Sequence, residues 1–271
     1  MTEFRPQVLF VDWDETITEV DTMHLVAAAA YATKPDFKPE WNYFGNEYLK
    51  DYNNYVQKFG KRNNLVDELR FLDGLTEVEL TSVRRVERSG LFKGITKNAL
   101  LKQASNVKIR PGWWDVVKNC KKLGILIVIV SVNWSQLLIQ EVFNQHGFGD
   151  VPVYANEVHF DSDGLASGLL SKHEYELRTG ADKSRLIDHV LTKLGVKNEV
   201  VYAGDSTSDL RPLLQARLGL IVGQKTSLRE ACARGGVNVV DIRKWDRRVS
   251  EGQKVLYSVT EWSELNNALT G

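Results

Sequence analysis

The 271-residue chain balances 35 Lys+Arg against 35 Asp+Glu, a formal net charge of zero, which argues against a polybasic surface for nucleic acid or membrane. Two cysteines, Cys120 and Cys232, are too few for a disulfide framework or a zinc knuckle and fit a reducing compartment. The longest apolar run, 125–130, is far too short to cross a bilayer, and the opening Met-Thr-Glu-Phe-Arg-Pro lacks a secretory apolar core; a soluble cytoplasmic protein is expected.

In chain order, residues 8–11 (Val-Leu-Phe-Val) form a short apolar run that reads as a strand buried on both faces, the mark of a parallel sheet. It runs directly into Asp12, Asp14 and Thr16. From about residue 21 to 106 the texture becomes helical and amphipathic. Residues 23–32 are Ala-rich, Pro35 and Pro39 break the pattern, and 41–59 resumes it with Trp41, Phe44, Tyr48, Tyr52 and Tyr55 at helical spacing. That stripe reads first as the packing seam of a helical bundle, and alternatively as one in which Trp41, Tyr43 and Phe44 line a pocket for a flat organic ligand. An apolar-faced run at 65–72 precedes Thr76 and Glu79, which have the spacing of an N-cap and its capping box. At residue 109 the α/β texture returns. A helix to Leu123 is stopped by Gly124, residues 125–130 form a second buried strand ending at Ser131, and 136–146 form a helix. Residues 158–168 read as a hairpin around Asp161-Ser-Asp-Gly164. A helix at 183–194 leads to a third strand, 199–203, which enters Gly204-Asp205-Ser-Thr-Ser-Asp209. Strands at 218–222 and 237–240 flank a helix at 227–234, and the tail at 262–269 reads as a last short strand and helix. The five histidines, His24, His146, His159, His173 and His189, show no ligand spacing, and the charged run 243–248 reads as a solvated face. The resulting expectation is an α/β core, 1–18 and 109–271, interrupted by a helical unit at 19–108 far too long for a loop.

Three predicted strands therefore end in polar residues: Asp12/Asp14/Thr16, Ser131/Asn133 and Asp205/Asp209. In a parallel sheet all three ends share one edge, where such proteins place their ligands. Carboxylates gathered there repel unless a cation or a shared proton relieves them. Oxygen ligands without a Cys/His cluster suit Mg²⁺, so Asp12, Asp14 and Asp205 are the candidate metal site. A carboxylate beside the metal could attack phosphorus, and a second one two residues on could protonate the leaving oxygen and later activate water. Donors around Ser131 and the ammonium of Lys183 would balance the transferring group.

Asp12-x-Asp14-x-Thr16, Ser131 after an apolar strand, Lys183 and Gly204-Asp205-x-x-x-Asp209 together resemble the four motifs of the haloacid dehalogenase (HAD) superfamily. The helical stretch between the first two motifs resembles the inserted C1-type cap of phosphoserine phosphatases. The resemblance spans essentially the whole chain. It implies a Rossmann-like α/β parallel-sheet core with helices on both faces and an inserted all-helical C1 cap. It also implies Asp12 as nucleophile, Asp14 as acid/base and Asp205 as metal ligand, with the Asp14 carbonyl completing the Mg²⁺ set. Thr16, Ser131, Val132, Asn133 and Lys183 would form the phosphate-binding group, with Asp209 supporting Lys183 or the metal shell. An Asp at position 14 favours phosphate hydrolysis over dehalogenation.

Residues 154–158 and 201–210 further resemble the phosphatase domain of bifunctional plant thiamin monophosphate phosphatases, without room for the TenA-like domain fused to it there. That points to a small phosphorylated metabolite, a vitamin or amine ester, as substrate. In phosphoserine phosphatases an acid nine residues past the nucleophile faces the substrate amine, and Asp21 holds that offset here; its plain alternative is a helix cap. Trp41, Phe44 and Trp134 are the other candidate substrate contacts. A phosphomutase or phosphonatase, and a regulatory protein without turnover, remain alternative expectations, and monomer and homodimer are both open.

Overall fold

Seven strands, every adjacent pair parallel, build one sheet in the order β3-β2-β1-β6-β7-β9-β8 in a computed structural model that describes residues 4–171, 176–197, 199–246 and 255–270. The chain begins with β1 (Val8–Val11) and then leaves the sheet for α1 (Met23–Thr33), α2 (Trp41–Phe59), α3 (Leu65–Gly74), α4 (Thr76–Ser89) and α5 (Lys97–Leu101). It returns through α6 (Trp113–Leu123), β2 (Leu126–Val130), α7 (Gln136–Gln145), β3 (Val153–Tyr154) and the antiparallel pair β4 (Glu157–Phe160) and β5 (Ala166–Ser171). It ends with α8 (Gly180–Leu194), β6 (Val200–Gly204), α9 (Leu210–Gln215), β7 (Leu218–Val222), α10 (Thr226–Arg234), β8 (Asn238–Asp241), β9 (Val255–Val259) and α11 (Trp262–Thr270).

The period-2 alternation of a strand splits β1 between two cores. Leu9 and Val11 pack with Trp113, Ile139 and Trp262 on one face, whereas Val8 and Phe10 pack with Leu186, Leu213 and Leu228 on the other. The expected Rossmann-like sheet with helices on both faces is present. β1 is its switch point, with β2 and β3 on one side and β6 onward on the other, so the loops after β1, β2 and β6 converge.

The helical insertion is bound to both cores. Val26, Ala29 and Ala30 of α1 join the first core; Leu65 and Phe71 of α3 join the second. Buried Glu68 of α3 receives a bidentate pair from Arg234 of α10, at 2.9 and 3.0 Å, and a third bond from Arg62 at 3.1 Å. The aromatic stripe of α2 divides between its two readings. Tyr52, Tyr55 and Phe59 pack on Phe71, whereas Trp41 meets Phe44 and Trp134.

Several local expectations shift. Thr76 is not an N-cap: it lies inside α4, and its hydroxyl donates to the Asp73 carbonyl because α3 and α4 follow one another almost without a break. The β4–β5 hairpin packs on the insertion. Gly94 N–H donates to the Ala166 carbonyl and Ala166 N–H to the Ile95 carbonyl, so strands lie beside the helices there. The last strand, Val255–Val259, precedes the stretch expected to hold it. His146 stacks on Trp114 at 4.2 Å, and Arg243 pairs with Asp241; His173 and residues 247–248 lie outside the described residues.

Glu157, at the start of β4, holds the loop behind Ser131. Its carboxylate accepts from the backbone N–H groups of Leu137 (2.6 Å) and Val158 (2.9 Å) and from the Ser135 hydroxyl (3.2 Å). Burial pushes its pKa up to about 7, and those donors only partly offset the push. With a folded value above the unfolded one, stability from this group is present at acid pH and is lost as pH rises through about 7. Relative to Glu157→Gln, the wild type is expected to lose about 1–3 kcal/mol between pH 4.5 and 7.5 in urea denaturation. A pH-independent difference would contradict this.

Candidate active site

β1 delivers Asp12 as its backbone N–H still bonds the Ala203 carbonyl at 2.9 Å, so Asp12 sits at the level where β6 ends. The chain then turns sharply. Glu15 adopts φ +55°, the left-handed region that a side chain rarely takes. The turn is pinned by Arg110, whose Nη2 donates to the Glu15 carbonyl at 2.8 Å, and by the Thr18 hydroxyl, which accepts from Glu15 N–H at 3.0 Å. β6 ends at Gly204, where no side chain fits: a Cβ would lie 2.4 Å from the Asp209 carboxyl carbon.

At the centre is the Lys183 ammonium, fully buried, 2.9 Å from Asp12 Oδ2 and 2.7 Å from Asp209 Oδ1. It is placed there by α8, whose Thr179/Asp182 capping box fixes the first turn. Asp209 is saturated. Oδ1 also accepts from Tyr202 OH at 2.6 Å, and Oδ2 accepts from Asp205 N–H, Ser206 N–H and the Ser206 hydroxyl. Asp205 accepts from the Thr16 hydroxyl at 3.1 Å and from Lys225 Nζ at 3.0 Å, and Lys225 also pairs with Glu15. One oxygen from each of Asp12, Asp205 and Asp209 falls within 4.8 Å of the others.

Burial, reinforced by the neighbouring Asp209 charge, holds the Asp12 carboxyl well above its ordinary range and brings Asp205 to about 6. Asp209 stays below the ordinary value despite burial, because Lys183 and Tyr202 both donate to it. Burial alone would lower Lys183, yet the flanking carboxylates raise it. Around the two ammonium groups stand four carboxylates, those of Asp12, Asp209, Asp205 and Glu15, which leaves an excess equal to the charge of one divalent cation. This all-oxygen, acid-rich set fits a hard ion such as Mg²⁺.

Asp14 points to a different set of partners. Thr22 N–H and the Thr22 hydroxyl donate to Oδ1, both at 2.6 Å, and Asn133 Nδ2 donates to Oδ2 at 2.8 Å. Burial and the nearby Asp21 charge bring Asp14 to about 6. The Asn133 side chain is therefore engaged with Asp14, while its backbone N–H donates to Ser131 Oγ at 3.1 Å. Buried Asn156 staples this loop: its amide donates to the carbonyls of Val132 (3.0 Å), Asn133 (3.2 Å) and Leu177 (2.8 Å).

Over this edge opens a cavity of ≈ 280 Å³. Trp41, Phe44, Tyr48 and Trp134 supply aromatic walls, Val132 and Leu177 join it to the loop at Ser131, and Asp21, Glu79 and Arg178 bring charge. Asp21, Trp41, Phe44 and Trp134 thus share one cavity. Tyr43 does not line it and is 44% exposed. Asp21 also accepts from Met23 N–H at 2.9 Å, so it caps α1 while facing the cavity. Lys225, Glu15, Tyr202, Asn156, Glu79 and Arg178 stand outside the motif residues singled out from sequence. Glu15 lies inside the first motif, and Asn156 and Tyr202 lie in the stretches 154–158 and 201–210 already noted for their resemblance; Lys225, Glu79 and Arg178 had no local signal for a place in the site, and Lys225 reaches Glu15 across 210 residues.

Residues 9–214 match the haloacid dehalogenase-like hydrolase family. A CTO1 family protein of Schizosaccharomyces pombe is 27% identical over 95% of this chain and 97% of its own length. Cold tolerance protein 1 of Saccharomyces cerevisiae is 26% identical over 76% of this chain and 75% of its own. The bifunctional TH2 protein, mitochondrial, of Arabidopsis thaliana is 24% identical over 97% of this chain, which spans only 49% of that protein. Among solved structures, a phospho-aspartyl intermediate analogue of phosphoserine phosphatase superposes with a TM-score of 0.60 at 15% identity, covering 98% of this chain and 100% of the other.

Removing Lys183 would leave Asp12 and Asp209 facing each other in a dry site. In metal-free buffer Lys183→Met is expected to cost about 3–5 kcal/mol in guanidinium unfolding. A loss below about 1 kcal/mol would contradict the central placement of this ammonium.

Proposed function

The chain belongs to the haloacid dehalogenase-like hydrolase family, and from that premise we propose that it is a Mg²⁺-dependent phosphomonoesterase acting through an aspartyl-phosphate. The observation that carries this reading is the convergence of Asp12, Asp205 and Asp209 around Lys183 at the edge where β1 and β6 end.

Asp12, the Asp14 carbonyl and Asp205 would hold the ion, and Mg²⁺ bound there would offset carboxylate repulsion and polarise a phosphoryl oxygen. Asp209 has both oxygens committed, so its part is to hold Lys183 and the 205–206 backbone. Asp12 attacks phosphorus: an Asp12 O–P bond forms as the P–O bond to the leaving group breaks. Asp14, whose pKa is raised by burial to about 6, retains a protonated fraction toward neutrality and in that form gives its proton to the departing oxygen. It then takes a proton from water, which attacks the same phosphorus and releases Asp12 and inorganic phosphate. Thr22 and Asn133 aim Asp14 through three hydrogen bonds. Lys183, the Ser131 hydroxyl and the Val132 backbone N–H balance the equatorial phosphoryl oxygens. The helical unit at 19–108 serves as a C1-type cap, its α2 supplying Trp41 and Phe44 to the cavity.

The substrate is a small phosphorylated metabolite whose leaving group fits a largely aromatic space with Asp21 at its margin. A vitamin or amine ester of the thiamin monophosphate kind suits that space, in line with the resemblance of 154–158 and 201–210 to plant thiamin monophosphate phosphatases. Among the described residues no lysine lines the cavity, which gives a phosphonatase no Schiff-base residue among them.

With Mg²⁺ present, Asp12→Asn is expected to lower phosphate release from a generic ester such as p-nitrophenyl phosphate by more than about a thousandfold, with the melting transition retained. Full hydrolysis by a folded Asp12→Asn protein would exclude the covalent route.

A further inference from the structure

Arg178 is 8% exposed, and among the described residues its Nε and Nη1, both shut off from solvent, have no hydrogen-bond partner. Orphaned buried guanidinium donors are costly and rare in a folded protein unless something else is meant to meet them. Four acids, Glu176, Glu79, Glu87 and Asp182, lie near enough to favour its charge, but none of them bonds Nε or Nη1. Nor is the side chain adrift. The Arg178 backbone N–H donates to Asp182 Oδ2 at 2.9 Å within the capping box of α8, five residues before Lys183. One residue earlier, the Leu177 N–H and carbonyl are both tied to Asn156, which also holds the Val132 and Asn133 carbonyls. The backbone that carries Arg178 is thereby held in register with the loop at Ser131. Arg178 lines both the aromatic cavity and a hollow beneath the hairpin lined by Val83, Glu87 and Leu170; only the former shares Val132 with the phosphate-side loop.

We infer that Arg178 is the specificity residue of this site, and that the leaving group is a planar ring, neutral or cationic, carrying a hydrogen-bond acceptor on the edge turned toward it. The aromatic walls accept the ring faces, and the guanidinium of Arg178, a cavity-lining residue with donors left unpaired among the described residues, supplies N–H groups for an acceptor on the ring edge. A carboxylate is the wrong acceptor here. Asp21 and Glu79 line the same cavity, so added negative charge would meet carboxylates already there. Glu79 is itself engaged, accepting from Tyr48 OH at 2.7 Å, and makes no hydrogen bond to Arg178 Nε or Nη1.

The assignment rests on the phosphatase reading, and a matched series of esters separates the two. Benzyl phosphate, the three pyridylmethyl phosphates and 4-carboxybenzyl phosphate differ only at the ring. With Mg²⁺, the best pyridylmethyl ester is expected to exceed benzyl phosphate in kcat/KM by about tenfold or more, mainly through KM, with the carboxybenzyl ester no better than benzyl. Arg178→Met is expected to bring the pyridylmethyl and benzyl esters within about threefold of each other. Arg178→Lys keeps the buried charge if the Met variant does not fold; it is expected to lose most of the preference, since one ammonium does not reproduce two fixed N–H directions. The inference is overturned if no pyridylmethyl isomer is preferred, if the preference survives both substitutions, or if the carboxybenzyl ester is best. If the wild type hydrolyses none of the series, the phosphatase reading fails. Calorimetric binding of the pyridylmethanols against benzyl alcohol then decides: an Arg178-dependent preference upholds the inference, and equal or absent binding overturns it.

Discussion

The constraint on which the rest of the molecule depends is the repulsion among carboxylates confined in a dry pocket. Asp12, Asp205 and Asp209 approach within 4.8 Å while nearly excluded from water. Left alone, such a set would neutralise by taking up protons. The fold instead inserts Lys183 between Asp12 and Asp209 and sets Lys225 between Asp205 and Glu15. Two ammonium groups against four carboxylates leave the site short of positive charge, and the same shortage gives the cluster its capacity for a divalent ion. The raised pKa values of Asp12 and Asp205 express that shortage.

Assembly of the cluster is a consequence of topology. A parallel sheet whose order reverses at β1 carries the ends of β1, β2 and β6 to one edge, so residues 12, 131 and 205 meet without any of them being near in sequence. The insertion between β1 and β2 then returns over that edge. α2 brings aromatic walls, α4 brings Glu79, and α3 is riveted to the far core through Glu68 and Arg234. Asn156 joins the loop beside the phosphate-side residues to the segment bearing Arg178, so one buried amide sets the spacing between the two halves of the site.

Much of this was legible from residue types. Apolar strands that end in acids, a helix stopped by Gly124, and the spacing of Asp205 and Asp209 identify the core and most of the central charges. The partners that tune those charges were not. Lys225 reaches Asp205 across 20 residues and Glu15 across 210, and a lysine at a helix start carries no sign of such a role. Arg178 and Glu79 are invisible for a similar reason: buried charge is a property of packing between the insertion and the core. Thr76 shows the opposite failure. A good capping sequence lost to the near-continuous run of α3 into α4, where local propensity yields to tertiary context. The aromatic stripe of α2 fitted two readings because one helix face, nineteen residues long, serves both.

The most direct test of a carboxylate cluster held for a divalent cation is the thermal melt of metal-free protein titrated with Mg²⁺, wild type beside Asp205→Asn. Saturating Mg²⁺ is expected to raise the wild-type midpoint by several degrees, since binding near a hundredfold over Kd stabilises by about 2.7 kcal/mol, and to leave Asp205→Asn almost unmoved. A wild-type midpoint indifferent to Mg²⁺, or an equal rise in the variant, would contradict the account.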